Sequence, residues 1–192
     1  MQLKKKQAEI LEVAIELFKE KGYVGASMRD LAAKLNIKAA SLYAHIRSKD
    51  ELLEWICFSI AEQFFEGLNE VKNADLPADK RLNFFIEKHL SIVLDNPDVT
   101  HIYSNEWKHL EDRLPEFIEL RKKYQREVEQ LISEIYITEN WELKSPAFTT
   151  KFILHTLNNS YFWFKRKVDS PSEMTDEIRD KILFGLLGNL KV

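Results

Sequence analysis

Residues 27–53 read SMRDLAAKLNIKAASLYAHIRSKDELL, and their spacing predicts two short helices around a tight turn, then the start of a third. Ser27, with Asp30 three positions on, has the form of a helix N-terminal cap. Leu31 and Leu35 make one short apolar stripe. Asn36 stands where a tight turn needs a positive φ, which asparagine tolerates better than most residues. Ile37, Leu42 and Ile46 follow at positions that close a small core. The second helix opens Lys38-Ala39-Ala40-Ser41, with almost no side chain to pack or react. Ser48 and Glu51 then form a capping box, from which a long helix runs with Leu52, Ile56, Ile60, Phe64 and Leu68 in line.

The preceding helix carries Ile10, Leu11, Ala14, Leu17 and Phe18 on one face, and Gly22 is expected to stop it. Downstream, "NADLPADK" breaks the long helix. Further helices are expected over about 78–94, 98–110, from Leu114-Pro115 onward, over about 147–167, and from a Thr175 cap to Leu190. Nothing alternates like a strand, and there is no repeat or long linker. The reading is an all-α chain of about nine helices: a three-helix, helix-turn-helix head over residues 1–48 and a larger helical bundle over 49–192.

The 192 residues are 45% hydrophobic and 31% charged, an ordinary globular composition with no apolar run able to span a bilayer. No membrane partner is expected. MQLKKKQAEILE has no apolar segment behind its lysines, so no secretory signal is read there, and a reducing cytoplasm fits the single cysteine, Cys57. The formal charge of -3 hides an asymmetry: residues 1–50 hold ten Lys/Arg against six Asp/Glu, a net +4, which leaves -7 for the rest. A basic head on an acidic body points to a polyanion partner for the head alone.

A helix that enters a major groove about 12 Å wide must be slim at its leading end. Ala39 and Ala40 supply that slimness, and their methyls can touch thymine methyls; Ser41 can meet a base edge or a phosphate. Lys38 occupies the place of the usual capping Ser or Thr, leaving backbone N–H groups for a DNA phosphate. Tyr43, His45 and Lys49 are expected phosphate contacts, with Ser27, Met28 and Arg29 gripping the backbone from the other side and Lys4, Lys5 and Lys6 as a basic arm.

These residues closely resemble the DNA-binding signature of the tetracycline-repressor-like (TetR/AcrR) transcriptional regulators: a Ser or Thr, R-D-[IL]-A, a small turn, [TS]-L-Y, an aromatic/His pair and S-K-[ED]-x-L at these spacings, over roughly residues 10–53. The sequence departs from that pattern with Asn36 for the turn Gly, Lys38 for the capping Ser, Ala40 for a Gly and Ile46 for Phe. The resemblance implies a double-stranded DNA operator, a regulatory domain with a ligand pocket, and a homodimer made largely by the last two helices. Two recognition helices would then stand about 34 Å apart on a palindrome.

The body fits those implications. The helix over 147–167 is apolar on two faces, Phe148, Phe152 and Phe162 on one, Ile153, Leu157, Tyr161 and Phe164 on the other. In the last helix Ile182, Leu186 and Leu190 run beside Gly185 and Gly188, and each helical glycine costs about 1 kcal/mol unless close approach of another helix compensates. The expected dimer face is therefore Phe148, Ile153, Leu157, Phe164, Ile182, Gly185, Leu186 and Asn189. Three polar residues interrupt apolar stripes: His89, Glu106 and Arg121, the last two a candidate ion pair or ligand anchors. With them, Phe84, Phe85, Tyr103, Trp107, Tyr124, Phe152 and Tyr161 are the candidate effector pocket. "NEWKHL", "RKKY" and "NNSYFWF" further resemble the branch that responds to acyl-CoA thioesters, with Arg121, Lys122, Lys123 and Arg126 available for CoA phosphates. A hydrophobic drug or bile-acid-like effector is equally compatible.

Enzyme chemistry finds no footing. The five histidines form no zinc motif, there is no G-x-S-x-G, and only five glycines are present, none in a phosphate-binding loop. No metal and no cofactor is expected. The sequence thus reads as a ligand-responsive regulator, a repressor released from a palindromic operator by a hydrophobic effector such as an acyl-CoA or fatty acid. The alternative is a helical protein-interaction module that has lost specific DNA binding, which the Lys38 and Ala40 departures keep open.

Overall fold

The computed structural model describes residues 3–138, 145–163 and 171–187. Among them all regular structure is helical: α1 (Lys5–Gly25), α2 (Met28–Lys34), α3 (Ala39–Leu42), α4 (Lys49–Asn73), α5 (Ala78–Asp95), α6 (Pro97–Asn105), α7 (Leu114–Thr138), α8 (Pro146–Asn159) and α9 (Pro171–Leu187). Tight 3-10 turns add Trp107–His109, Glu111–Arg113 and Ser160–Phe162. No described helix is long and apolar enough to cross a membrane. The chain forms two compact units, Met1–Glu62 with Pro97–Leu120, and Gln63–Asn96 with Arg121–Val192.

In the first unit the apolar stripe of α1 lies inside, with Ile10, Ala14, Leu17 and Phe18 buried, and α1 packs against both α2 and α6. Asn36 does adopt positive φ, 53°, and the turn it makes drops Leu42 and Ile46 into the same core. Gly22 is also left-handed, at φ 69° and ψ 164°, but it kinks α1 instead of ending it. One more turn follows because Ala26 N–H bonds the carbonyls of Gly22 and Tyr23. The Ser48 cap forms, its Oγ accepting Glu51 N–H at 3.2 Å, yet the Glu51 carboxylate reaches past Ser48 to the Arg47 N–H and Nε.

The second unit holds the C-terminal half of α4, α5, most of α7, α8 and α9, with α5 packed against both α8 and α9. Gly67 has a structural use here: a Cβ at this position would lie 3.1 Å from Ile92 Cδ1 and 3.2 Å from Lys88 Cγ, so its absence lets α5 approach α4.

Three boundaries beyond the head also differ from the sequence reading. α6 ends at Asn105 and α8 at Asn159, in each case where an asparagine amide donates to the carbonyl of a histidine four residues back, at 2.8 Å. That bond satisfies a terminal carbonyl and ends the ladder early. α9 starts at Pro171 instead of after Thr175, because proline is suited to the first helical turn, where its missing N–H is not needed. Gly188, Asn189 and Leu190, together with Phe164, lie outside the described residues.

Candidate nucleic-acid interface and effector core

The helix-turn-helix is built around two caps of different kind. At α2, Ser27 Oγ accepts Asp30 N–H at 3.2 Å and donates its own proton back to the Asp30 carboxylate, which also accepts Ser27 N–H at 3.0 Å. Lys21 Nζ sits 2.7 Å from the same carboxylate, and these bonds hold the Asp30 carboxyl down at about 2. The Ser27 hydroxyl is therefore spent on the cap, while Met28 is half-buried and Arg29 exposed beside it. At α3 the N-cap is Lys38, with no side-chain cap bond.

α3 is a single turn of four residues and continues as a hydrogen-bonded turn with His45 N–H on the Leu42 carbonyl at 2.8 Å. Leu42 and Ile46 anchor it from below, both nearly fully buried. Its outward surface carries Lys38, Ala40, Ser41, Tyr43 and His45, all exposed, with Ala39 half-buried at their edge. The small residues expected to lead into a groove thus share one exposed turn with the residues expected to flank it.

Lys49 is placed differently from expectation. Its ammonium turns inward, donating to the Tyr23 carbonyl at 2.8 Å and the Ala26 carbonyl at 3.0 Å, and lies 4.1 Å over the Tyr23 ring. Tyr23 in turn donates its hydroxyl to Asp50, and its phenol is pushed well up, first by burial and then by that bond. The His109 ring stacks on Tyr23 at 5.4 Å, and its Nε2 lies 3.6 Å from the Glu106 carboxylate. Lys49 and Asp50 therefore fasten the start of α4 to the kinked end of α1. The carbonyls that hold the lysine belong to the C-terminal end of α1, and sequence spacing does not show that Lys49 meets them.

In the second unit a polar chain crosses the apolar core. His89 is 2% exposed, stacked on Phe64 with ring centroids 4.4 Å apart and 17° between planes. Asn158 Oδ1 lies 3.0 Å from Nε2, and Tyr124 Oη 3.0 Å from Nδ1. A carbonyl oxygen only accepts, so Nε2 carries the proton and Nδ1 accepts from the Tyr124 hydroxyl. Burial pushes His89 down to about 4, with the Asn158 bond opposing the shift. His89 and Tyr124 were named from the sequence; Asn158 was not. Its signal was the same as that of His89, a polar residue breaking a stripe, here between Leu154 and Tyr161.

That chain carries a pH prediction. The folded-state value lies below the ordinary histidine value of 6.5, so acid favours the unfolded chain. The contribution is complete above pH ~6.5, declines as pH falls towards ~4 and is flat below, a loss of roughly 3 kcal/mol. His89→Gln lowers stability at neutral pH by about 2 kcal/mol but removes this acid limb. Urea titrations at pH 7, 5.5 and 4.5 read the difference between the two proteins; parallel pH profiles would count against a buried neutral His89.

The other expected pocket residues divide between the units. Phe84, Phe85, Arg121 and Tyr161 join His89 and Tyr124 in the second, Phe85 and Tyr161 buried and the other two half-buried. Tyr103, Glu106 and Trp107 belong to the first, where Tyr103 and Trp107 pack on Phe117 at 5.7 and 6.4 Å. Phe152 is a correction: it is 50% exposed and faces out with Phe148, which is 70% exposed. The expected dimer face drew on both apolar sides of α8, and the structure separates them. Ile153 and Leu157, expected at the dimer face, are wholly buried in their own unit, as is Ile182 of α9, because the compact aliphatic side chains fill the core against α5. The bulkier rings are left outside, and Phe162 and Trp163 follow them at 59% and 55% exposure. Gly185 is exposed, and a Cβ there would meet nothing within 4 Å. The Leu186 side chain lies outside what the structure describes. Among the described residues no group of three or more His, Cys, Asp or Glu side chains is placed to hold a metal ion.

Residues 10–56 match the family model described as bacterial regulatory proteins, tetR family, and residues 75–186, more than half the chain, match the tetracyclin repressor-like C-terminal domain. The transcriptional repressor KstR2 of Mycolicibacterium smegmatis is 30% identical over 123 residues, 62% of this chain and 59% of that protein. The biofilm operon icaADBC negative transcriptional regulator IcaR of Staphylococcus aureus is 50% identical over 46 residues, 24% of this chain and 25% of that one. Both matches span less than two thirds of the curated relative's length. Among solved structures, AibR in complex with isovaleryl coenzyme A and operator DNA superposes with a TM-score of 0.80 at 25% identity, covering 95% of this chain and 98% of AibR. PfmR from Thermus thermophilus superposes with a TM-score of 0.80 at 26% identity, covering 92% of this chain and 98% of PfmR.

Proposed function

Because this chain belongs to the TetR family of bacterial regulatory proteins, a family of transcription regulators and not of enzymes, we propose that it is a homodimeric repressor released from operator DNA by a small hydrophobic effector. The observation that carries the DNA half is the exposed turn of α3. Ala40 and Ser41 lead, Lys38, Tyr43 and His45 flank them, and the whole is held by a packed core. Ala39, Ala40 and Ser41 read base edges, while Arg29, Lys38, Tyr43 and His45 set the register on phosphates and Met28 offers its backbone N–H at the start of α2. Ser27 and Lys49 act chiefly by shaping the head, through the cap and the tie to α1. Residues 1–48 are the DNA-binding division and 49–192 the effector-binding and dimerising one.

The dimer face is the exposed aromatic surface of Phe148, Phe152, Phe162 and Trp163, with Gly185 allowing close approach on α9. The effector site centres on His89 and Tyr124 within the aromatic core of the second unit, and its ligand is an acyl-CoA or fatty-acid-like molecule. AibR holding isovaleryl coenzyme A together with operator DNA supports that class. So do Lys122, Lys123 and Arg126, exposed on α7 for anionic groups. Effector binding must favour the DNA-incompetent state, since a ligand indifferent to the two states shifts nothing.

The test is an affinity titration on a duplex from the gene's own upstream region, with isovaleryl-CoA, a long-chain acyl-CoA and free CoA as separate additions. The reading expects tight binding that an acyl thioester weakens at least tenfold and free CoA does not. Tight binding indifferent to all three would discard the effector class and keep the regulator. Binding no tighter than to a scrambled duplex would favour the interaction-module alternative.

A further inference from the structure

α3 is one helical turn, so few contacts decide how it stands. Leu42 and Ile46 fix its depth and α2 packs along one side, and a polar tie holds the end of the turn at His45. That tie comes from the first turn of α1. The Gln7 amide donates from Nε2 to the His45 carbonyl at 3.0 Å, across 38 residues of chain, while its Oε1 accepts the Lys4 N–H at 3.0 Å. Each bond demands the same orientation of the amide, so the two are mutually consistent. Among the described residues no other side-chain hydrogen bond reaches residues 38–46 from elsewhere in the chain.

We propose that Gln7 is a positioning residue for DNA recognition, one amide that sets the tilt of the α3 turn and ties it to the N-terminus of α1 at its Lys4 cap. The inference rests on the DNA-binding reading above. Its physical content is a separation of two effects. Phosphate attraction tolerates small errors in the pose of α3, whereas base contacts do not. Losing the tie therefore lowers affinity for the preferred sequence and leaves non-specific affinity in place.

The experiment measures the ratio of two affinities at one salt concentration: for a duplex selected by the wild-type protein from a randomised pool, and for a scrambled duplex of equal length. Gln7→Leu removes both bonds. Gln7→Glu keeps an acceptor for the Lys4 N–H and loses the donor; its added charge weakens both duplexes alike and cancels in the ratio. Gln7→Lys keeps a donor for the His45 carbonyl. The expected result is a ratio reduced about two- to tenfold by Leu and by Glu, the range one neutral hydrogen bond supplies, and held within about twofold by Lys. Thermal unfolding confirms that each variant is folded. An unchanged ratio in the Leu and Glu variants, or an equal fall in the Lys variant, would overturn the proposal. A wild-type protein with no preference between the duplexes would overturn the DNA-binding reading itself, a result distinct from a preference that the Gln7 variants leave intact.

Discussion

Phe152→Glu yields a folded monomer that no longer holds an operator of two half-sites. Phe152 is half exposed on α8, so the protomer loses little when it is replaced, and glutamate is a good helix former. In a twofold interface the change counts twice, because the same patch serves both partners. Removing a buried phenylalanine from each side gives up about 2 kcal/mol per copy, and the new carboxylates add desolvation to that. The dimer dissociation constant then rises by about a thousandfold or more. Sedimentation equilibrium should report the 22.7 kDa protomer for the variant and a dimer for the wild type. A variant that remained dimeric would place the interface elsewhere than on the aromatic face of α8.

Ala40→Leu has an equally large expected effect by a different route. Ala40 is exposed, and an exposed substitution away from caps and cores changes stability by about 0.5 kcal/mol or less. In the groove, however, the isobutyl group holds the α3 backbone off the base edges. Each well-formed base contact contributes about 1–3 kcal/mol, so losing two lowers affinity for the preferred duplex by about a hundredfold or more. Non-specific affinity, which depends on phosphates, should fall much less. Full affinity in the variant would mean that α3 is not the element that enters the groove.

The local features of the head were legible because they are written in adjacent residues. A positive φ at Asn36, the Ser27 and Ser48 caps and the burial of Leu42 and Ile46 follow from turn chemistry and helical spacing. The early ends of α6 and α8 were legible in principle, as the repeated H-x-x-x-N spacing of His101/Asn105 and His155/Asn159, but only once the amide-to-carbonyl bond is known. Periodicity showed two apolar faces on α8 and could not say which faces the core, since both satisfy the same helical repeat. The structure resolves the choice by packing the compact Ile153 and Leu157 inside and leaving Phe148 and Phe152 out.

What remained hidden was non-local. The inward turn of Lys49 depends on carbonyls at the C-terminal end of α1, and the His89 chain joins residues 35 and 69 positions apart. Gln7 looked like one more residue of an exposed first turn, and its bond to His45 belongs to the folded head alone. Sequence spacing reports which residues share a face of one helix. It does not report which backbone atom of another helix that face will meet.

The most direct test of the central claim is the affinity of the wild-type protein for a duplex selected from a randomised pool, measured against a scrambled duplex across a series of salt concentrations. A sequence-specific regulator gives a preference of about a thousandfold or more, with affinity for both duplexes falling steeply as salt rises. Equal affinity for the two duplexes at every salt concentration would contradict it.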